Sequence, residues 1–492
     1  MADTINVPAG TYTLTIGGAG EEVAATGDLD LTSNITIVGA GAGSTTIQQT
    51  VADRVFHITG AFTVNISGVT ITGGNVNGEG GGLYNNGGTV NITNSAVSGN
   101  TTTAGSGNDG AGLYTAIGTV NVTNSAISGN VSGDHGGGLY AAGSDTVNIT
   151  DSVVTDNQAG EGGGIWADFG TVNLTRSTVS GNRATASSGG GLLAFSNNTV
   201  TIVNSAFSQN TANNAGGGIQ FGPSGNTATI TNSTFSGNSA VFNGGGIDNR
   251  GALTVTNSTF SGNSAGADGG GIDNRGALTA TNSTFSGNSA TNNGGGIRRS
   301  LGAVTLTNTI VANSTSGGNC SGTITDGGNN LDSANTCGFT TNALINTDPL
   351  LGALASNGGT TQTMALLTGS PAIDAGDDAV CAAAPVSGLD QRGVVRPQGP
   401  HCDIGAFEAP VPSGPNLLLN PGFDQTAQYP RVWQYSVPRT LFSSLLDCAF
   451  FISPDCSLKL LASRNTAIVT QTVTFNGLAG QQFIFGLSSA AL

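Results

Sequence analysis

The stretch Gly244–Ala265, GGGIDNRGALTVTNSTFSGNSA, recurs 25 residues on as Gly269–Ala290, and the two copies differ at one of 22 positions, Val255 against Ala280. A period of this length points to a solenoid, a propeller or an array before any local motif is considered. A propeller blade needs about 40 residues or more, and a leucine-rich repeat needs an L-x-x-L-x-L pattern that is absent. Helical repeats need an apolar period of 3.6, whereas LTVTN alternates with period 2.

With drift, the phrase occurs nine times. An aliphatic residue follows each glycine cluster: Leu83, Leu113, Leu139, Ile165, Leu192, Ile219, Ile247, Ile272 and Ile297. An alternating pair comes next, as in Val90/Ile92 or Leu253/Val255. A third apolar position runs from Val97 and Ile127 to Phe235, Phe260 and Phe285. Each coil thus offers three short strands separated by Gly, Asn and Ser corners. No coil buries its apolar face alone, but stacking puts like residues above like and closes a continuous core. The expected fold is all-β, a right-handed parallel β-helix, because parallel crossovers favour that hand. A dozen coils at ~4.8 Å would make a rod of about 55 Å.

An asparagine follows the third strand in each repeat: Asn100, Asn130, Asn157, Asn182, Asn210, Asn238, Asn263, Asn288 and Asn313. Asparagine tolerates the left-handed backbone of a tight corner. Its stacked side-chain amides would also hydrogen-bond from coil to coil, at about 1 kcal/mol net each. These nine are read as a structural ladder.

The 492 residues allow two or three domains. Coils 1–75 are irregular, the nine repeats fill 76–315, and residues 316–410 leave the period. Residues 411–415 form a stiff Pro-rich linker, and 416–492 open a new unit. The formal charge is −16, and Lys459 is the sole lysine, so nucleic acid and anionic membranes are poor partners. No apolar run reaches membrane-spanning length. The cysteines fall in close couples outside the regular coils: Cys320 with Cys337, Cys381 with Cys402, and Cys448 with Cys456. No metal-ligand spacing accompanies them, so disulfides and an oxidising compartment are expected. The chain opens without a signal peptide, and an export signal is expected upstream or already removed.

Among candidate sites, Asp248-Asn249-Arg250 and Asp273-Asn274-Arg275 would stack as an exposed ion-pair network of little worth per pair. Their functional reading is a carboxylate–arginine site of a polysaccharide lyase, with arginine as base, or a hydrolase carboxylate pair. Asp374, Asp390, Arg392, Arg396, Asp403 and Glu408 read as buried salt bridges rather than a catalytic cluster. His57 reads as a packing histidine. The outward Thr229/Thr231, Thr254/Thr256, Thr279/Thr281 and Thr305/Thr307 resemble the lattice of ice-binding proteins, although β-branched residues suit any exposed strand.

The GGGI and FSGN strings (Phe235–Asn238, Phe260–Asn263, Phe285–Asn288) resemble the repeats of polymorphic outer-membrane proteins, which implies a β-helical bacterial surface passenger or adhesin. Asn346–Gly352, Gly369–Gly376, Asp390–Gly393 and Cys402–Glu408 are similar to the choice-of-anchor Q domain of secreted β-helix proteins. That likeness implies a pectate-lyase-like fold, export and surface attachment. Physically, 316–410 would be a disulfide-bearing cap over the open end of the helix. Residues 416–492, with Asn420–Phe423, Trp433 and Val469–Val473, look like part of a carbohydrate-binding jelly roll, in which Trp433 and Tyr435 would stack on sugars. The expected function is a non-enzymatic extracellular stalk or adhesin without cofactor, binding a glycan or a neighbouring surface protein, with rods free to self-associate. A lyase or hydrolase and an ice-binding protein are the alternatives.

Overall fold

The computed structural model describes residues 3–18 and 26–410. Beyond these it describes the backbone of four short strands, Cys448–Ile452, Leu458–Ala462, Ile468–Gln471 and Phe483–Gly486, which pair as two antiparallel hairpins. The chain divides into two units, Met1–Val411 and Pro412–Leu492. The linker and most of the jelly-roll-like segment lie outside the described residues.

The first unit is an all-β parallel solenoid. Three long parallel sheets of 13, 12 and 14 strands run its length. The alternating sheet starts at Asp3–Val7 and contains strands such as Thr89–Thr93 and Ala252–Thr256. The glycine-side sheet starts at Leu29–Leu31 and contains Leu83–Asn86 and Ile247–Asn249. The serine sheet starts at Gly10–Leu14 and contains Ala96–Ser98 and Thr259–Ser261. One five-residue helix, Asp378–Ala382, lies in the C-terminal segment.

Strict register follows from the repeat. Leu83 pairs with Leu113, Val90 with Val120 and Val97 with Ile127, and the same positions continue coil after coil. Inside, this stacks Phe207, Phe235, Phe260 and Phe285 at ring spacings of 4.6–5.0 Å, all fully buried. The triple glycine has two separate causes. Gly244 takes a left-handed φ of 64°, and a Cβ on Gly246 would lie 2.5 Å from the Gly271 carbonyl oxygen of the next coil.

The asparagine ladder runs from Asn100 to Asn288. Each Nδ2 donates to the Oδ1 of the next coil's asparagine, at 2.9–3.0 Å through seven consecutive steps. It also donates to a core-strand carbonyl of the preceding coil, as Asn238 does to Phe207 and Asn288 to Phe260. Every Oδ1 accepts a backbone N–H as well, for example that of Asn210 at Asn238. Each amide is therefore saturated although fully buried. None of these eight residues is left-handed. The φ > 0 positions are the residues just before, glycines such as Gly99 and Gly237 in most coils but Asp156 and Gln209 in two, and a different row, Asn94, Asn124, Asp151, Arg176, Asn204, Asn232, Asn257, Asn282 and Asn308.

Asn313 is not in the ladder. Phe285 pairs with Val311 and Ser286 with Ala312, so Asn313 falls opposite Gly287 and Ser314 opposite Asn288. It is exposed with φ 55°, the conformation of the glycine position it occupies. A parallel hydroxyl ladder stands at the other corner. The backbone N–H of Ser95, Ser125, Ser152, Ser177, Ser205, Ser233 and Ser258 each donates to the next coil's serine Oγ, at 3.0–3.3 Å.

Residues 316–345 do not leave the period. Cys320–Ser321, Thr325–Asp326 and Leu331–Asp332 extend the three sheets by one short coil, and Leu344–Ile345 pairs on Leu331–Asp332. The strands shrink to two residues, too short for an apolar alternation to register. The chain then folds back along the flank of the serine sheet rather than only closing its end. Thr361 Oγ1 donates to the Asn232 carbonyl, the Ala406 N–H donates to Thr284 Oγ1, and the Gly405 N–H donates to the Asn308 carbonyl. Gln391 Nε2 donates to Thr234 Oγ1 and Thr361 Oγ1, and its Oε1 accepts from Thr259 Oγ1 at 2.6 Å. This flank needs cover because Ile310 stands where Thr284 stands one coil earlier. Ile310 and Leu331 pack with Leu366, Ile404 and Phe407 in a second apolar cluster.

Two of the three expected disulfides are formed. Cys320–Cys337 lies in the last coil, and Cys381–Cys402 lies in the returning segment, the strap of residues 346–410. The third, between Cys448 and Cys456, is not among the disulfides of the described residues. Cys456 lies outside the described residues, and Cys448 is described only through the backbone of its strand, Cys448–Ile452.

Removing one ladder amide leaves buried donors and acceptors on both neighbouring coils without partners, at about 1–3 kcal/mol each. In urea melts, Asn210→Ala is expected to destabilise the protein by at least ~2 kcal/mol. Asn313→Gly, at an exposed left-handed position, is expected to stay within ~0.5 kcal/mol.

Candidate functional site

The outward column of the glycine-side sheet carries the least repetitive side chains of the solenoid. In register, it reads Asp30, His57, Tyr84, Tyr114, Tyr140, Trp166, Leu193, Gln220, Asp248, Asp273 and Arg298. Strand alternation aims these away from the core while Leu83, Leu113 and Ile165 point in. The column has three parts.

At the N-terminal end, Arg54 Nη1 meets Asp28 Oδ2 at 3.2 Å, and its Cζ lies 5.3 Å from the centre of the Tyr84 ring. His57 is buried, 3.1 Å from Asp30 through Nδ1, and stacked on Tyr84 at 4.9 Å. Burial pushes the Asp28 carboxyl up to about 7, opposed by Arg54 and reinforced by the charges of Asp53 and Asp30.

In the middle, the rings stack along the rod. Tyr114 and Tyr140 are 5.1 Å apart and 8° from parallel, and Tyr140 and Trp166 are 4.4 Å apart at the same angle. Tyr84 is tilted 56° to Tyr114, and Phe195 closes the row 5.7 Å from Trp166. The faces of Tyr140 and Trp166 are thus turned to one another, leaving edges and polar tips for a ligand. This is a ladder and not a platform for a sugar ring. The Trp166 Nε1–H is buried with no hydrogen-bond partner among the described residues.

A polar row lies beside the rings, one residue before each glycine cluster: Glu79, Asp109, His135 and Glu161. The N–H groups of Gly80, Gly110 and Gly136 donate to the carbonyls of Asp109, His135 and Glu161, which fixes their register. His135 Nδ1 lies 2.9 Å from Asp109 Oδ1, and its Nε2 lies 3.4 Å from Asp134 Oδ1. Burial pulls the His135 pKa down, but the Asp109 hydrogen bond and the charges of Asp109, Asp134 and Glu161 outweigh it and leave it raised. Ligand atoms of Asp109, Asp134 and His135 lie within 4.8 Å of one another, the spacing of a cation site. Because both ring nitrogens face carboxylates, a protonated imidazole itself supplies the positive charge there. On the far side of the rings, exposed Ile117 and Phe169 occupy the corner, both left-handed at φ 56°.

At the C-terminal end stand the duplicated carboxylates. Asp248 pairs with Asp273 in register, yet both are fully buried rather than exposed. Gln220 Nε2 and Arg250 Nε reach Asp248 at 2.9 and 3.0 Å, while Arg275 Nε and Arg298 Nη1 reach Asp273 at 3.1 and 3.3 Å. Burial and the Asp248 charge push Asp273 up to about 6 against the two arginines. With their oxygens covered, these carboxylates are closed to a polymer substrate in this conformation.

The other sequence candidates fall elsewhere. Arg392 binds Asp390 at 2.6 Å and lies over the Phe407 ring, and buried Arg396 holds the carbonyls of Asp403 and Gly405 and lies 3.6 Å from Glu408. Asp374 meets this group only through its N–H, bonded to Asp403 Oδ1. Of the threonine lattice, Thr229 and Thr279 are exposed while Thr256 is fully buried, so the late coils present no open double row. Their centre column continues an amide chain, Asn65, Asn91, Asn121, Asn148 and Asn173, bonded at 2.7–2.8 Å. Trp433 and Tyr435 lie outside the described residues.

The Chlamydia polymorphic membrane protein repeat matches residues 257–275 and 282–298. No curated protein and no solved structure matches the chain. The matched segments run from left-handed Asn257 and Asn282 through the core phenylalanine and ladder asparagine to the glycine cluster and GIDNR or GIR. The protein is a β-helical repeat protein with polymorphic-membrane-protein-like coils. The likeness lies in the skeleton of the coil and not in the aromatic column, which precedes it.

Raised carboxyls hold protons in the folded state that they lose on unfolding between pH ~4 and ~7, so stability falls as pH rises through that window. Asp28 and Asp403 (about 7), and Asp145 and Asp273 (about 6), act in this sense. The raised His135 acts likewise, its contribution being present below pH ~6.5 and lost above. Thermal melts are expected to give a higher Tm at pH 5 than at pH 8. The difference should shrink in Asp28→Asn and His135→Gln.

Proposed function

We propose that this chain is a non-enzymatic stalk displayed at a cell surface, which holds binding surfaces at a distance from their attachment. The continuous buried amide ladder is the observation that carries the reading. It makes the solenoid a rod whose every coil is bonded to the next and whose length grows by duplication, as Gly244–Ala265 and Gly269–Ala290 illustrate. The polymorphic-membrane-protein-like coils support a surface location. Two disulfides, one in the last coil and one in the strap, support an oxidising compartment. The burial of Asp248 and Asp273 under arginines favours a structural role over lyase or hydrolase chemistry.

Antibody raised against the solenoid is expected to label intact cells of the source organism. Labelling only after permeabilisation would contradict the reading. In a second arm, the purified protein is incubated with a panel of polysaccharides and the supernatant profiled for released oligosaccharides. None is expected, and product that disappears in Asp248→Asn/Asp273→Asn would make the protein an enzyme.

A further inference from the structure

The aromatic column is bounded at both ends by arginines of its own chain. Arg54 neutralises Asp28 at one end, and Arg250, Arg275 and Arg298 neutralise Asp248, Asp273 and Asp268 at the other. Between them the balance fails. Among the described residues no arginine forms an ion pair with the side chains of Glu79, Asp109, Asp134, Glu161 or Asp168, and His135 is the one basic group set among them. Glu79 and Glu161 are half-buried beside stacked rings, where a carboxylate attracts a cation more strongly than in open water. Three further features mark the stretch. The buried Trp166 Nε1–H lacks an acceptor. Ile117 and Phe169 are 74% and 52% exposed, and Phe195 is 45% exposed. Ile117 is β-branched yet held at φ 56°, a conformation that costs of order 1–3 kcal/mol and presents its side chain to solvent.

We propose that the glycine-side face from Tyr84 to Phe195 docks a polypeptide segment carrying arginine or lysine beside apolar residues. The order across the face sets the fit. The carboxylate row takes the cationic heads, with the tyrosine hydroxyl groups as additional acceptors. The ring edges and the Ile117–Phe169 corner take the apolar side chains. Charge complementarity names the occupant: an acidic or neutral segment would leave the carboxylate row uncompensated under a desolvating cover. The inference is independent of where the protein resides.

The probe is a fluorescein-labelled octapeptide of alternating arginine and leucine, titrated into the full chain and followed by anisotropy in 0.1 M salt. Saturable one-to-one binding is expected. Glu79→Gln/Glu161→Gln should weaken it about tenfold, each charge-assisted contact being worth severalfold in affinity. Ile117→Gly/Phe169→Gly should weaken it severalfold while keeping the Tm, because glycine adopts φ 56° without strain. Asp3→Asn/Asp348→Asn removes the same charge from exposed positions elsewhere and should leave affinity within twofold. Non-saturable binding would overturn the proposal, as would an equal loss in the two charge variants or no loss in either face variant.

Discussion

Buried side-chain amides bonding coil to coil are the interaction on which the rest of this structure depends. Each ladder asparagine from Asn100 to Asn263 uses both donors, and from Asn130 on each oxygen accepts two N–H groups of the preceding coil's asparagine, one from its side chain and one from its backbone. A corner would otherwise bury unsatisfied backbone, which costs more than a satisfied bond returns. The serine row does the same at the opposite corner with hydroxyls. With the corners satisfied, the strands between them have one register available, and the phenylalanine stack follows from it. Because one register serves every coil, an outward column can change its chemistry without disturbing the frame. The glycine-side column does so, passing from acid and histidine through tyrosines and tryptophan to arginine-bound aspartates.

Function in such a molecule belongs to the columns and not to the coil. The inward positions and corners are fixed by packing, whereas the outward positions are fixed by nothing in the solenoid itself. The Thr and Asn columns of the alternating sheet drift slowly from coil to coil, as duplication alone would leave them. The aromatic column instead joins stacked rings, a carboxylate row and strained exposed apolar corners over successive coils. That concentration gives the rod one face unlike the others.

The frame was legible in the sequence because its determinants are periodic. Glycine cluster, alternating pair and Phe-Ser-Gly-Asn recur at nearly fixed spacing, and each has a single physical role. Where periodicity weakened, legibility fell. Asn313 reads as a ladder residue by its letter, yet its neighbour Ser314 holds the ladder position, because the coil ends in Val-Ala-Asn rather than Phe-Ser-Gly-Asn. The last coil, with its two-residue strands, reads as irregular sequence. The strap's path along the flank had one signal, Ile310 in a threonine column. Asp248 and Asp273 read as exposed because alternation aims them outward, and their burial by long arginine stems is a tertiary effect. The aromatic column was in view as Tyr84, Tyr114, Tyr140 and Trp166, each one residue after a landmark aliphatic. Its meaning required the register that placed the rings in contact.

The central claim is that the amide ladder makes all regular coils one continuous, equally protected rod. Hydrogen exchange of the full chain, read by mass spectrometry on peptides spanning each ladder corner, tests it most directly. The account predicts slow exchange at the corners from Asn100 to Asn288, comparable to that of the adjoining strands, with faster exchange at Asn313. Corner peptides that exchange within seconds while the strands stay protected would contradict it, and would make the corners loops rather than the bonds that hold coil to coil.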